Sequence, residues 1–145
     1  MTTLEELLEE FETIDEAIAE LEAALEPGAA GAAPTLDESL PVCMDLTRQL
    51  LVAFGRHHGK PMPVDESDLL AVLKAFVKGD PSLNAVRDNV RELVYYRNCI
   101  DMDRRDALPG AAERTAVRTV RHIYLYLRTR LIQEERRGEQ PIKPM

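Results

Sequence analysis

The residues best suited to chemistry stand together in one segment, residues 93–109, with the sequence LVYYRNCIDMDRRDALP. Arg97 repeats at helical spacing with the apolar residues before it, so the pattern predicts an arginine on the apolar stripe of a helix. An unpaired charge there is costly, so Arg97 must be paired or must line a cleft. Asp101, one turn later, is a candidate partner for an internal bridge. Alternatively, Arg97 and Asn98 project into a groove and bind phosphate, because the planar guanidinium offers a fork of hydrogen-bond donors that fits a phosphate group.

Other residue patterns exclude several classes of site. The glycines fit neither a P-loop nor a dinucleotide fingerprint, and no Gly-x-Ser-x-Gly elbow occurs. No histidine has a glutamate three positions before it, which excludes the paired motif of di-iron bundles. His57 and His58 are predicted to lie at a helix end, in a surface or terminal-turn role. Cys43 and Cys99 lack metal-ligand spacing, so we expect no metal, no cofactor and a reducing, cytoplasmic location.

The elements that must position these residues are predicted to be helices. Leucines and isoleucines recur at spacings of three and four over about residues 4–26, and Thr3 and Glu6 are placed as a capping box. The run PGAAGAAPTLD, residues 27–37, is too small and flexible to pack. It is therefore predicted to be a flexible linker inside one domain.

Four more helices follow from the same spacing. Asp37 or Ser39 is predicted to cap the second helix, which ends in a turn rich in Gly and Pro. A short third helix is predicted to end at Gly79, Asp80 to cap the fourth, and the last to span about residues 111–136. No segment alternates as a strand would, so the expected fold is all-α. The predicted architecture is an antiparallel four-helix up-and-down bundle with one short extra helix.

Length and composition predict one domain. A chain of 145 residues with 45% hydrophobic side chains buries roughly 70% of its unfolded surface. The domain is predicted to span residues 1–137, and residues 138–145 to form a disordered tail. The longest uncharged stretch is Ala, Gly and Pro, and the N-terminus is acidic. We therefore expect no membrane span and no secretory signal.

Charge is distributed unevenly along the chain, whose formal net charge is −8. Residues 1–26 hold ten acids and no Lys or Arg, so the remainder carries +2. Residues 110–137 hold seven arginines against three glutamates. In one interpretation the acidic first helix packs beside the Arg-rich last helix and the charges neutralise each other. In the other, an arginine surface meets RNA phosphates.

The order of these segments resembles the HEPN superfamily of small helical proteins. The resemblance covers most of the chain, from the first helix to Arg136, and includes the motif VYYRNCIDMDRRD with Arg97 and Asn98. In that family a histidine follows the Arg and polar pair after a few residues. Here Met102, Asp103 and Arg104 occupy the positions where it would fall.

The resemblance implies a metal-independent ribonuclease in active members, in which the histidine moves a proton while the arginine steadies the phosphate. A methionine cannot move a proton, and an exposed carboxylate with a pKa near about 4 is a poor base at neutral pH. We therefore expect a HEPN-like homodimer with an incomplete nuclease motif, acting as a binding or interaction module of unknown ligand.

Two partners and two alternatives remain open at this point. The module is expected to meet RNA or a nucleotide, or to pair with a toxin–antitoxin or nucleotidyltransferase-type partner protein. One alternative is a toxin-like ribonuclease that uses Arg97 and Asn98 with Asp101 or Asp103 in place of histidine. The other is a structural helical bundle unrelated to the family.

Overall fold

The computed structural model describes residues 3–139, and the regular secondary structure in this part of the chain is all helical. The all-α prediction is confirmed over these residues. Two 3₁₀ turns, Pro81–Leu83 and Arg105–Ala107, flank the fourth helix. The five helices are α1 (Leu4–Ala24), α2 (Leu36–His57), α3 (Leu69–Val77), α4 (Asn84–Asp101) and α5 (Ala112–Glu139). The predicted tail lies outside the described residues, apart from the last two residues of α5.

The start of α2 differs from the prediction that Asp37 or Ser39 caps it. Thr35 is the cap: its hydroxyl accepts the Glu38 N–H at 3.3 Å, and the Glu38 carboxylate accepts the Thr35 N–H at 3.1 Å. This reciprocal capping box satisfies two backbone donors at once, which a lone Asp or Ser does not. The segment predicted as a linker over residues 27–37 therefore loses its last two residues to the helix.

Other helix boundaries follow local capping chemistry. Thr3 and Asp68 each accept the backbone N–H three residues later, at 3.1 and 3.2 Å. Asp80 accepts the Ser82 N–H at 3.2 Å, so it caps the 3₁₀ turn that leads into α4. Gly79 has φ 76° and supplies the left-handed residue between α3 and that turn.

The core forms around α2, which packs against each of the other four helices. Among the other four helices, α1 packs against α5, α5 against α4, and α4 against α3. Phe11, Phe54 and Phe76 are among the largest fully buried side chains and come from three different helices. No helix within residues 3–139 is long and apolar enough to cross a membrane.

The acidic first helix lies against the Arg-rich last helix. The Arg121 guanidinium donates to both carboxylate oxygens of Glu22, at 2.7 and 3.2 Å, and also to Asp15. The hydrogen bonds that Arg121 donates to Glu22, followed by the one to Asp15, raise the pKa of Arg121 above its ordinary value. Part of the arginine surface is thus neutralised by α1, as one interpretation of the charge pattern predicted.

Candidate functional site

The predicted site lies at the C-terminal end of α4, where the chain turns sharply. The Arg104 N–H donates to the Cys99 carbonyl at 2.7 Å, and the Asp103 N–H donates to the Ile100 carbonyl at 3.2 Å. These two bonds define a Schellman motif, in which the residue at the position of Asp103 is usually glycine. Asp103 adopts the left-handed conformation with φ 55°. The turn therefore holds an aspartate where the backbone favours a residue without Cβ.

Arg97 is not on the apolar stripe of α4, which corrects the sequence-based prediction. Its side chain is 47% exposed, and its Nε donates to the carboxylate of Asp101, itself 56% exposed, at 3.2 Å. The buried stripe runs instead through Leu93, Tyr96 and Cys99. Residues three and four apart share a helix face, and the aromatic ring of Tyr96 buries more apolar surface than the stem of an arginine. The bridge to Asp101 exists, but on the surface.

Exposed side chains surround the turn, and we call them the α4-end surface: Tyr95, Arg97, Asn98, Met102 and Asp103. Tyr95 is 49% exposed and Met102 is 73% exposed, unusual for such large apolar groups. The side chains of Asn98 and Asp103 make no hydrogen bond within residues 3–139. Of the four predicted site residues, the structure joins Arg97 to Asp101 and leaves the other two open to solvent.

The neighbours of this surface are held in place by hydrogen bonds and ion pairs. The Tyr95 hydroxyl donates to the Ala107 carbonyl at 3.3 Å, and a side-chain hydrogen bond with the Cys99 thiol raises the pKa of Tyr95. Arg104 forms two bonds with Asp106, at 3.1 and 3.2 Å, which raise the pKa of the guanidinium and lower that of the carboxyl. The segment after the turn is therefore fixed against α4.

A second fixed contact joins this end to another helix. Arg105 donates to both carboxylate oxygens of Asp37, each at 2.9 Å, which ties the second 3₁₀ turn to the first turn of α2. Both bonds come from the same nitrogen, Nη2, so the pair fixes the distance between the two segments. The turn that carries the α4-end surface is thus held in place by contacts with the start of α2.

The chemistry of the surface suits binding better than proton transfer. It offers a guanidinium, an amide, a phenol, a thioether and one carboxylate, and the chain's three histidines lie elsewhere, at 57, 58 and 122. No protein-family model matches the chain, and no curated protein or solved structure is significantly similar to it. Function must therefore be inferred from the side chains of this chain itself.

A cluster that the sequence did not predict forms around His58, at the other end of α2. Its Nε2 lies 2.6 Å from a Glu134 carboxylate oxygen, and its Nδ1 lies 2.8 Å from the Phe54 carbonyl. Both ring nitrogens thus lie within hydrogen-bond distance of an oxygen atom. Arg130 lies 3.7 Å from Glu134 and 3.4 Å from Asp80. These contacts connect α2, α5 and the turn before α4.

The role of this cluster is structural, because its charged groups are engaged with one another. The predicted terminal-turn role of the histidines is confirmed, since His57 is the last residue of α2 and His58 caps it. His58 and Glu134 are 76 residues apart, so no local spacing connects them. Within residues 3–139, no three His, Cys, Asp or Glu side chains come together as metal ligands would.

Proposed function

We propose that the chain is a HEPN-like helical binding and interaction module that uses the α4-end surface to contact its partner. The observation that carries this proposal is the exposure of Tyr95 and Met102 beside Arg97 and Asn98. Aromatic, Met and Arg side chains are enriched at protein interfaces. Their apolar area gains free energy only when a partner covers it.

The residue in the turn supports the same proposal. Asp103 is in the left-handed region, where glycine is less strained. Its negative charge also stands at the C-terminal end of α4, where the helix dipole disfavours an anion. Neither property stabilises the fold, and residues held in such conformations concentrate at functional positions.

The proposed architecture and assembly follow the family resemblance. The four long helices form an antiparallel up-and-down bundle, with α3 as the extra short helix, and two chains pair as a homodimer in a reducing cytoplasm. The α4-end surface of each copy faces the other across a two-fold axis.

The dimer is tested by light scattering after gel filtration. We expect twice the chain mass of 16.3 kDa for the wild type. The double variant Tyr95→Ser, Met102→Ser should run as a monomer. Leu125→Ser removes a comparably exposed apolar side chain from α5, so this control should stay dimeric. A mass of one chain at every concentration would refute the homodimer.

RNA or a nucleotide is a second candidate ligand of the HEPN-like site, bound by Arg97 and Asn98. A nucleotidyltransferase-type protein is a candidate protein partner. The test is incubation of a mixed-sequence RNA without metal, with wild type, Arg97→Ala and Asp103→Asn. We expect no cleavage by any of them, because no imidazole stands at the spacing needed. Robust cleavage that Asp103→Asn abolishes would replace the binding function with the ribonuclease alternative.

A further inference from the structure

A cleft of about 330 Å³ lies between the loop that follows α2 and the outer side of α3. None of the residues that line it belongs to the α4-end surface. Its apolar walls are Pro61, Met62 and Pro63 on the loop, and Ala71 and Ala75 on the helix. A concave site of this size, with mainly apolar walls and a few polar groups, is typical for a small ligand.

Lysines supply all the charge of this cleft. Lys60, Lys74 and Lys78 line it, and no acidic residue does. They are three of the four lysines in the whole chain. Lys74 and Lys78 stand one helical turn apart, where like charges repel each other. Within residues 3–139 none of the three forms an ion pair. The Lys60 ammonium is bound to a backbone carbonyl, so the exposed Lys74 and Lys78 supply the charge that is available to an anion from outside.

The loop wall is held in place before any ligand arrives. The Lys60 N–H donates to the Gly55 carbonyl at 2.8 Å, and its Nζ donates to the Phe76 carbonyl at 2.7 Å. The Met62 side chain packs directly over Gly55, where a Cβ would overlap its methyl group. The cleft is therefore formed by the fold, which lowers the entropic cost of binding.

We propose that this lysine cleft binds a small amphiphilic anion, a carboxylate or phosphate attached to an apolar body. The ammonium groups meet the head group, while the proline, methionine and alanine walls cover the body. Two exposed residues next to the walls in sequence, Val64 and Leu70, extend the apolar surface available to it. The ligand is a free molecule rather than a membrane lipid, because the chain's net charge of −8 opposes an anionic bilayer.

The test is isothermal titration calorimetry of the full chain with monomeric decanoate and decyl phosphate. Decanol and decyltrimethylammonium are the neutral and cationic controls, and phosphatidylglycerol vesicles test the membrane alternative. We expect both anions to bind and the controls not to bind. Equal binding of decanol, binding of the cation, binding to vesicles alone, or no binding of either anion would each overturn the proposal.

Variants assign the binding to the cleft. Lys74→Gln with Lys78→Gln should weaken decyl phosphate binding by about tenfold or more. Arg114→Gln with Arg118→Gln removes two exposed charges at the same spacing on α5 and should leave the affinity unchanged. Equal losses in both pairs would show non-specific attraction and refute the cleft.

A second variant tests the apolar walls separately from the charges. Ala75→Leu fills the cleft while it keeps all three lysines. It should weaken decyl phosphate binding at an unchanged melting temperature, with weak binding of inorganic phosphate preserved. Unchanged decyl phosphate affinity in this variant would place the apolar body outside the cleft and overturn the proposal.

Discussion

Replacing Asp103 with glycine should stabilise the protein, although it removes a charged residue from the α4-end surface. The left-handed φ of 55° costs an L-residue on the order of 1 kcal/mol relative to glycine. Removing a negative charge from the C-terminal end of α4 returns about 0.3–1 kcal/mol. The greater freedom of glycine in the unfolded chain offsets roughly 0.5–1 kcal/mol. The net gain expected is about 0.3–1.5 kcal/mol.

The assay is urea denaturation followed by circular dichroism, with thermal melts in parallel. Asp103→Gly should raise the melting temperature by about 2–4 °C for a chain of this size. Asp103→Asn removes the charge but keeps a side chain that tolerates the left-handed region, so it isolates the electrostatic part. Ala111 has the same φ of 55° and no charge, so Ala111→Gly isolates the backbone part.

A loss of stability in Asp103→Gly would refute the reasoning. It would mean that the carboxylate of Asp103 stabilises the turn, and its residue type would then need no functional explanation. If Ala111→Gly raised the stability and Asp103→Gly lowered it, the backbone argument would hold, and the assumption that the Asp103 side chain does not stabilise the turn would be wrong.

Three further substitutions test the ion pairs by denaturation. Arg97→Ala and Arg104→Ala should lower the denaturation midpoint by similarly small amounts, because both arginines form exposed surface pairs. A clearly larger drop for Arg97→Ala would restore the internal bridge expected from sequence. Arg121→Ala should lower the free energy of unfolding by about 1–2 kcal/mol, because it leaves two carboxylates without a half-buried donor. Arg118 is exposed, so Arg118→Ala should leave the stability almost unchanged. Equal losses of stability in the two variants would contradict this prediction. His58→Ala should cost about 1–2 kcal/mol through its two bonds, and an unchanged midpoint would show that the cluster contributes nothing.

The helices could be predicted because their signals are local. Thr3, Asp68 and Asp80 act as caps within three residues of the groups they bind, and apolar spacing predicted every helix. Arg97 was misplaced because residues three and four after Leu93 both satisfy helical periodicity. Packing against the neighbouring helices decides between them, and a single helix pattern does not contain that information.

Tertiary charge contacts were predictable only at the level of whole helices. The excess of acids in α1 and of arginines in α5 predicted, as one of two interpretations, that these helices pack together and neutralise charge. The choice of Arg121 as the residue that meets Glu22, 99 positions away, was not. The pair of His58 and Glu134 lacked even a compositional signal, because each is an ordinary residue on its own helix.

The lysine cleft has a compositional signal in the sequence that did not lead to a prediction: its lysines stand out in a chain rich in arginine. Eight arginines form ion pairs with carboxylates within residues 3–139, whereas the lysines at 60, 74 and 78 form none. A planar guanidinium suits fixed bidentate pairs, and a compact ammonium suits a ligand that arrives from solvent. The arginines therefore hold the fold through ion pairs and Lys60 holds the loop wall through the Phe76 carbonyl, whereas Lys74 and Lys78 are left free for an anion.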